Sequence, residues 1–133
     1  MFRLIGLVVA LITVPAVLVA EVEISVTYLQ LEQPQPPVLS NLDPVPEDLG
    51  SAGAELGLAG NLTTGRFLGH SYALEVVTVP EGGDWAGAAS AALKVSPFVI
   101  LDAPAAAQIV VADLAEASGA VLFNASAADL ALR

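Results

Sequence analysis

The sequence predicts an α/β fold, an all-parallel sheet whose strands alternate with helices, and three observations carry that expectation. Hydrophobic residues make up 56% of the chain and aromatics only 5%, so the core is filled by Val, Leu, Ile and Ala, the common filling of a parallel sheet covered on both faces. Apolar runs of strand length recur between segments of helical period, in the order β-α-β-α-β-α-β. Helix-length connections between successive strands favour parallel pairing and right-handed crossovers. A three-layer, Rossmann-like arrangement follows, and 133 residues are enough for one domain with a real core.

The first twenty residues read as a signal peptide. Arg3 gives a small positive start, residues 4–20 carry no charge, Pro15 interrupts the run near its end, and Glu21 and Glu23 follow at once. Cleavage is expected after Ala20, or after Ala16. The competing reading is a retained membrane anchor, for which the run is barely long enough and which Pro15 weakens. Either way the remaining residues, 21–133, are expected outside the cytoplasmic membrane, in the periplasm.

Residues 22–31 alternate and are β-branched at Val22, Ile24 and Val26, with Tyr28 continuing the period, and predict a first strand. The stretch 32–50 holds five prolines and predicts a long extended loop. Residues 51–69 predict a helix with Ser51 as N-cap and a buried stripe of Ala52, Leu56, Ala59, Thr63 and Phe67. A second strand is expected over 72–79, a short Ala-rich helix capped by Asp84 through Leu93, and a third strand over 96–101. Pro104 opens a helix to about Ala117. A fourth strand follows over 120–123, with a loop and a further helix start to the end.

Fourteen acidic residues stand against four basic ones, and all fourteen acids lie after position 20. A surface this negative repels phosphate backbones, so nucleic acid is excluded as a partner. With no cysteine there is no disulfide framework, no thiolate metal site and no lipid-modified N-terminal cysteine. No Walker sequence is present, and Gly57, Gly60, Gly65 and Gly69 do not form a dinucleotide fingerprint, which must follow the first strand directly. Two glycosylation-like triplets, at Asn61 and Asn124, are too short a pattern to read as sugar sites.

In a parallel sheet, ligands sit at the carboxyl ends of the strands near the point where strand order reverses. The candidate ligand-binding residues are therefore Asp102, at the exit of the third strand, and Asn124 and Ser126, at the exit of the fourth. Each has a local alternative: Asp102 as a helix cap before Pro104, Asn124 and Ser126 as turn formers. His70, the single histidine, reads as a residue at the end of the first long helix, without a catalytic partner or metal-ligand set nearby. Tyr28 is expected in the core, and Trp85 is expected to pack its helix on the sheet. No cofactor and no metal site is predicted.

The helix segment 52–69, with its Thr63-Thr64-Gly65-Arg66-Phe67-Leu68-Gly69 end, resembles the first helix of type I periplasmic binding proteins of the branched-chain amino acid receptor kind. The nearer resemblance is to ABC transporter substrate-binding proteins associated with PQQ-dependent alcohol dehydrogenase systems. The segments 28–32, 99–104 and 122–126 add to it. The resemblance implies the truncated N-terminal lobe of a two-lobe receptor, with a small-molecule solute and ABC transporter membrane subunits as partners, and no enzymatic activity. It also implies a hydroxyl for the solute at Ser126. Ala103, Pro104 and Ala105–Ala107 replace the serines of the amino acid receptors, which points to a less polar solute. An exported α/β enzyme using Asp102 as acid or base, and a tethered ligand-sensing domain, are the alternatives.

Overall fold

Four strands form one sheet in the order β2-β1-β3-β4, and every neighbouring pair runs parallel. The computed structural model describes residues 21–34, 46 and 48–132. Its elements are β1 (Val22–Leu31), α1 (Ser51–Leu68), β2 (His70–Val79), α2 (Trp85–Val95), β3 (Phe98–Asp102), α3 (Ala105–Ala115) and β4 (Val121–Asn124), followed by a 3-10 turn, Leu130–Leu132. The alternation expected from the sequence is therefore present. The segment read as a signal peptide, and most of the proline-rich loop, lie outside the described residues. Among the described residues no helix is long and apolar enough to cross a membrane.

Strand β1 lies inside the sheet and pairs with a neighbour on either side. It runs beside β2 from Val22↔His70 to Leu31↔Val79, and beside β3 from Val26↔Phe98 to Gln30↔Asp102. The chain moves to one side of β1 to lay down β2, then returns to the other side for β3 and β4. Strand order thus reverses between β1 and β3.

The two faces of the sheet are filled differently. On one face Leu29, Val99 and Leu101 meet Trp85 and Ala89 of α2 and Val111 of α3, and Leu29, Val99, Ala89 and Val111 are fully buried. Trp85 packs as expected, and its Nε1 donates to the Ala107 carbonyl at 2.9 Å, tying α2 to α3. Asp84 caps α2 as expected, accepting from the Gly87 amide at 2.9 Å. On this face the buried Thr27 hydroxyl donates to Ser96 Oγ at 2.7 Å. Ser96 is the C-cap of α2 rather than the start of the third strand.

The other face carries α1, and here the expected stripe is wrong. Ala52, Leu56, Ala59, Thr63 and Phe67 are all exposed, Leu56 by 75% and Phe67 by 87%. The inward side is Ser51, Ala54, Leu58, Leu62 and Gly65. Gly65 decides between the two stripes. A Cβ there would sit 2.7 Å from the His70 carbonyl oxygen and 2.7 Å from a Tyr72 ring carbon. Only a glycine lets the helix backbone rest this closely on β2.

Two smaller expectations also change. The N-cap of α1 is Gly50, and Ser51 is the first helical residue, its hydroxyl donating to the Asp48 carbonyl at 3.1 Å. His70 opens β2 instead of ending the helix, with Nδ1 3.3 Å from the Tyr72 hydroxyl. The backbone passes from Gly69 straight into pairing with Val22, which leaves no loop for it to occupy.

Candidate functional site

At the carboxyl ends of β1 and β3 three polar side chains converge. Asp102, the last residue of β3, lies beside Gln30 of β1 in register. Its Oδ2 accepts from the Tyr28 hydroxyl at 2.7 Å and from Gln30 Nε2 at 2.9 Å. All three point to the face that carries α1, because residues in register on parallel strands project to the same side. Asp102 is half-buried and Tyr28 is 2% exposed. Burial, then the hydrogen bond to Asp102 and that carboxylate's charge, push the Tyr28 phenol well above its ordinary value. It is a neutral donor throughout the physiological range.

The amino end of α1 closes over this group. Gly50 has φ +93, a backbone conformation that side-chain-bearing residues rarely adopt, and a Cβ there would overlap the Tyr28 hydroxyl and lie 3.3 Å from Asp102 Oδ2. The carboxylate therefore sits by the positive end of the helix dipole, a favourable place for a negative charge. Asp102 does not cap α3, which has Pro104 as N-cap and no side-chain cap bond. Its hydrogen bonds go across the sheet instead. Sequence reasoning singled out Asp102 but missed that Tyr28 and Gln30 hold it. The alternation of β1, which puts 28 and 30 on one face, was the available signal.

Asn124 ends β4 at the same end of the sheet, with Asn124 beside Leu101 in register. Its Oδ1 accepts from Gln108 Nε2 at 2.9 Å and from the Ser126 and Ala127 amides at 3.2 and 2.9 Å, and its Nδ2 donates to the Ala127 carbonyl. Both ends of the amide are thus engaged in shaping the turn that carries Ser126, whose side chain is exposed. Gln108, 3% exposed, also donates from Nε2 to the Ala103 carbonyl at 2.8 Å. It stitches the loop after β3 to the loop after β4. Nothing in the sequence marked Gln108 out, because a glutamine on an Ala-rich helix reads as solvent-facing.

Asp102, Asn124 and Ser126 therefore share one end of the sheet, although no hydrogen bond links Asp102 to the other two. Among the described residues no group of three or more His, Cys, Asp or Glu side chains is placed to hold a metal ion. A shallow hollow of about 170 Å³, lined in part by Ser25, Leu74 and Ser96, lies toward the amino ends of the strands and contains none of these groups. No protein-family model, curated protein or solved structure matches this chain. The class of protein is accordingly defined by its architecture: a small α/β domain with a parallel sheet flanked by helices, in a generic Rossmann-like arrangement.

Proposed function

We propose that this chain is the front part of the first lobe of a periplasmic binding protein, capturing a small molecule for an ABC importer. The observation that carries the reading is the place of Asp102. A carboxylate held by Tyr28 and Gln30 stands where strand order reverses, at the end of the sheet where such folds take ligands. The Ser126 hydroxyl, on a turn shaped by Asn124, is the second polar group offered to the solute. The resemblance to receptors associated with PQQ-dependent alcohol oxidation supports this reading. The alanines after Asp102 favour a solute that brings its own hydrogen-bond donor and little other polarity. Capture would be completed by closure of a second lobe over these strand ends.

Thermal-shift screening against small alcohols, carboxylic acids and amino acids tests the proposal, since a ligand that binds the folded state raises its melting temperature by mass action. A ligand-dependent rise that is lost in Asp102→Asn supports it. No rise with any of these classes, or a rise that Asp102→Asn and Ser126→Ala leave intact, overturns it.

A further inference from the structure

Two parts of the chain meet at the amino end of β1. The uncharged run of residues 4–20 enters the domain there. The last turn of α1 ends at the same place. The Val22 amide donates to the carbonyl of Gly69, the C-cap of α1, at 2.9 Å, and Val22 lies beside His70 in register.

The entry point is apolar on one side. Phe67 is 87% exposed and Leu68 59%, both in the final turn of α1. Gly65 rests on β2. Phe67, two residues and about 200° further round the helix, therefore points away from the sheet, with Arg66 and Leu68 on its two flanks. Val22, also exposed, projects to the face that carries α1, and Glu23 to the opposite one. Arg66 is the base in the last turn of the helix. An aromatic ring and a leucine beside an arginine suit the interfacial layer of a bilayer. The apolar groups sink below the headgroups and the guanidinium stays at the lipid phosphates.

The connection is too short to let this turn leave a membrane that holds residues 4–20. In helical form that run would reach about 25 Å, less than a hydrocarbon core of about 30 Å, so it leaves no apolar spacer. From Ala20 to Val22 the chain spans at most about 7 Å. Val22, and with it Gly69 and Phe67, would then stand in the headgroup layer.

We propose that residues 1–20 are retained in the membrane and that the last turn of α1 rests in its interfacial layer. Phe67 and Leu68 are inserted, and Arg66 meets the phosphates. The acids fit this orientation. Asp48, Glu81, Asp84 and Asp102 lie at the strand-exit pole, turned to the water and away from the lipid phosphates. The solute site faces the water with them. The membrane contact goes beyond the solute-binding reading and does not depend on it.

The chain has no cysteine, so single cysteines carry a fluorophore to chosen points. Thr64→Cys labels the last turns of α1 on the side of Leu68, and Glu81→Cys labels the opposite pole; both positions are exposed. The chain, as its host processes it, is placed in vesicles of phosphatidylcholine with brominated acyl chains. The brominated lipid should quench the label at position 64 and leave the one at 81 bright. Phe67→Asp together with Leu68→Asp should remove most of that quenching while circular dichroism stays native. A mature chain that begins at Val17 or Glu21 overturns the proposal. So does equal quenching at the two positions, or quenching at position 64 that the two aspartates leave unchanged. None of these outcomes alters the ligand-dependent melting shift, or its loss in Asp102→Asn, by which the solute site is judged.

Discussion

The Tyr28 hydroxyl donates to Asp102 Oδ2 at 2.7 Å, joining residues 74 apart in the chain across the seam where strand order reverses. The donor is buried and neutral, and the acceptor reaches toward the surface. The bond therefore gives the one carboxylate at this end of β3 a defined orientation. Gln30 fixes the same oxygen from the next position on the same face of the strand. Two rotatable side chains on a rigid strand hold a third, which is how a sheet can position a polar group without a metal or a disulfide.

Tyr28→Phe removes the hydroxyl and leaves the ring. A hydrogen bond to a charged group is lost, and the domain should lose about 1.5–3 kcal/mol in urea unfolding followed by Trp85 fluorescence. Tyr28→Phe combined with Asp102→Asn should cost less than the sum of the two, because they share one bond.

The same phenol sets an alkaline limit. Its folded value is raised by burial and by Asp102 above the unfolded value of about 10. The neutral form is thus favoured by folding. The stability it contributes is fully present below the unfolded value and is lost as pH rises above it toward the folded one. The wild-type melting temperature should fall more steeply above about pH 10 than that of Tyr28→Phe. Parallel curves would remove Tyr28 as the cause.

Two glycines of the α1 region should respond in opposite directions. Gly50→Ala places a methyl against the Tyr28 hydroxyl at positive φ, and should destabilise by more than about 2 kcal/mol. Gly53→Ala, with open space around it inside the same helix, should stabilise by about 0.5–1 kcal/mol. Chemical denaturation of both variants checks the contrast.

Gln108→Leu keeps the volume of a buried side chain and removes its donors. The Ala103 carbonyl and Asn124 Oδ1 each lose a partner, so about 1–3 kcal/mol should be lost. Amide hydrogen exchange should quicken first in the loops after β3 and β4, and uniform acceleration would show that Gln108 merely fills space.

The elements were legible because each announces itself locally. β-branched alternation marks β1, Asp84 caps α2, and Pro104 opens α3. Asp102 and Ser126 were legible as strand exits, since the alternation of strands and helices places both at one end of a parallel sheet. The inward side of α1 was not. Ala52-Leu56-Ala59-Thr63-Phe67 and Ala54-Leu58-Leu62-Gly65 both have helical spacing, and periodicity cannot rank two apolar sides of one helix.

The order of hydrophobic segments along the chain, by itself, determined that the strands are parallel, that helices cover both faces, and which loops gather at one end. Those properties depend on short-range periodicity and on the chirality of L-residues, both of which are local. Tertiary structure alone decided that Tyr28 and Gln30 serve Asp102, that Gln108 joins two loops, and that Gly65 seats α1 on β2. Each of these is a contact between residues remote in sequence or a matter of tenths of an ångström between packed backbones, and neither kind of information is written in any one segment.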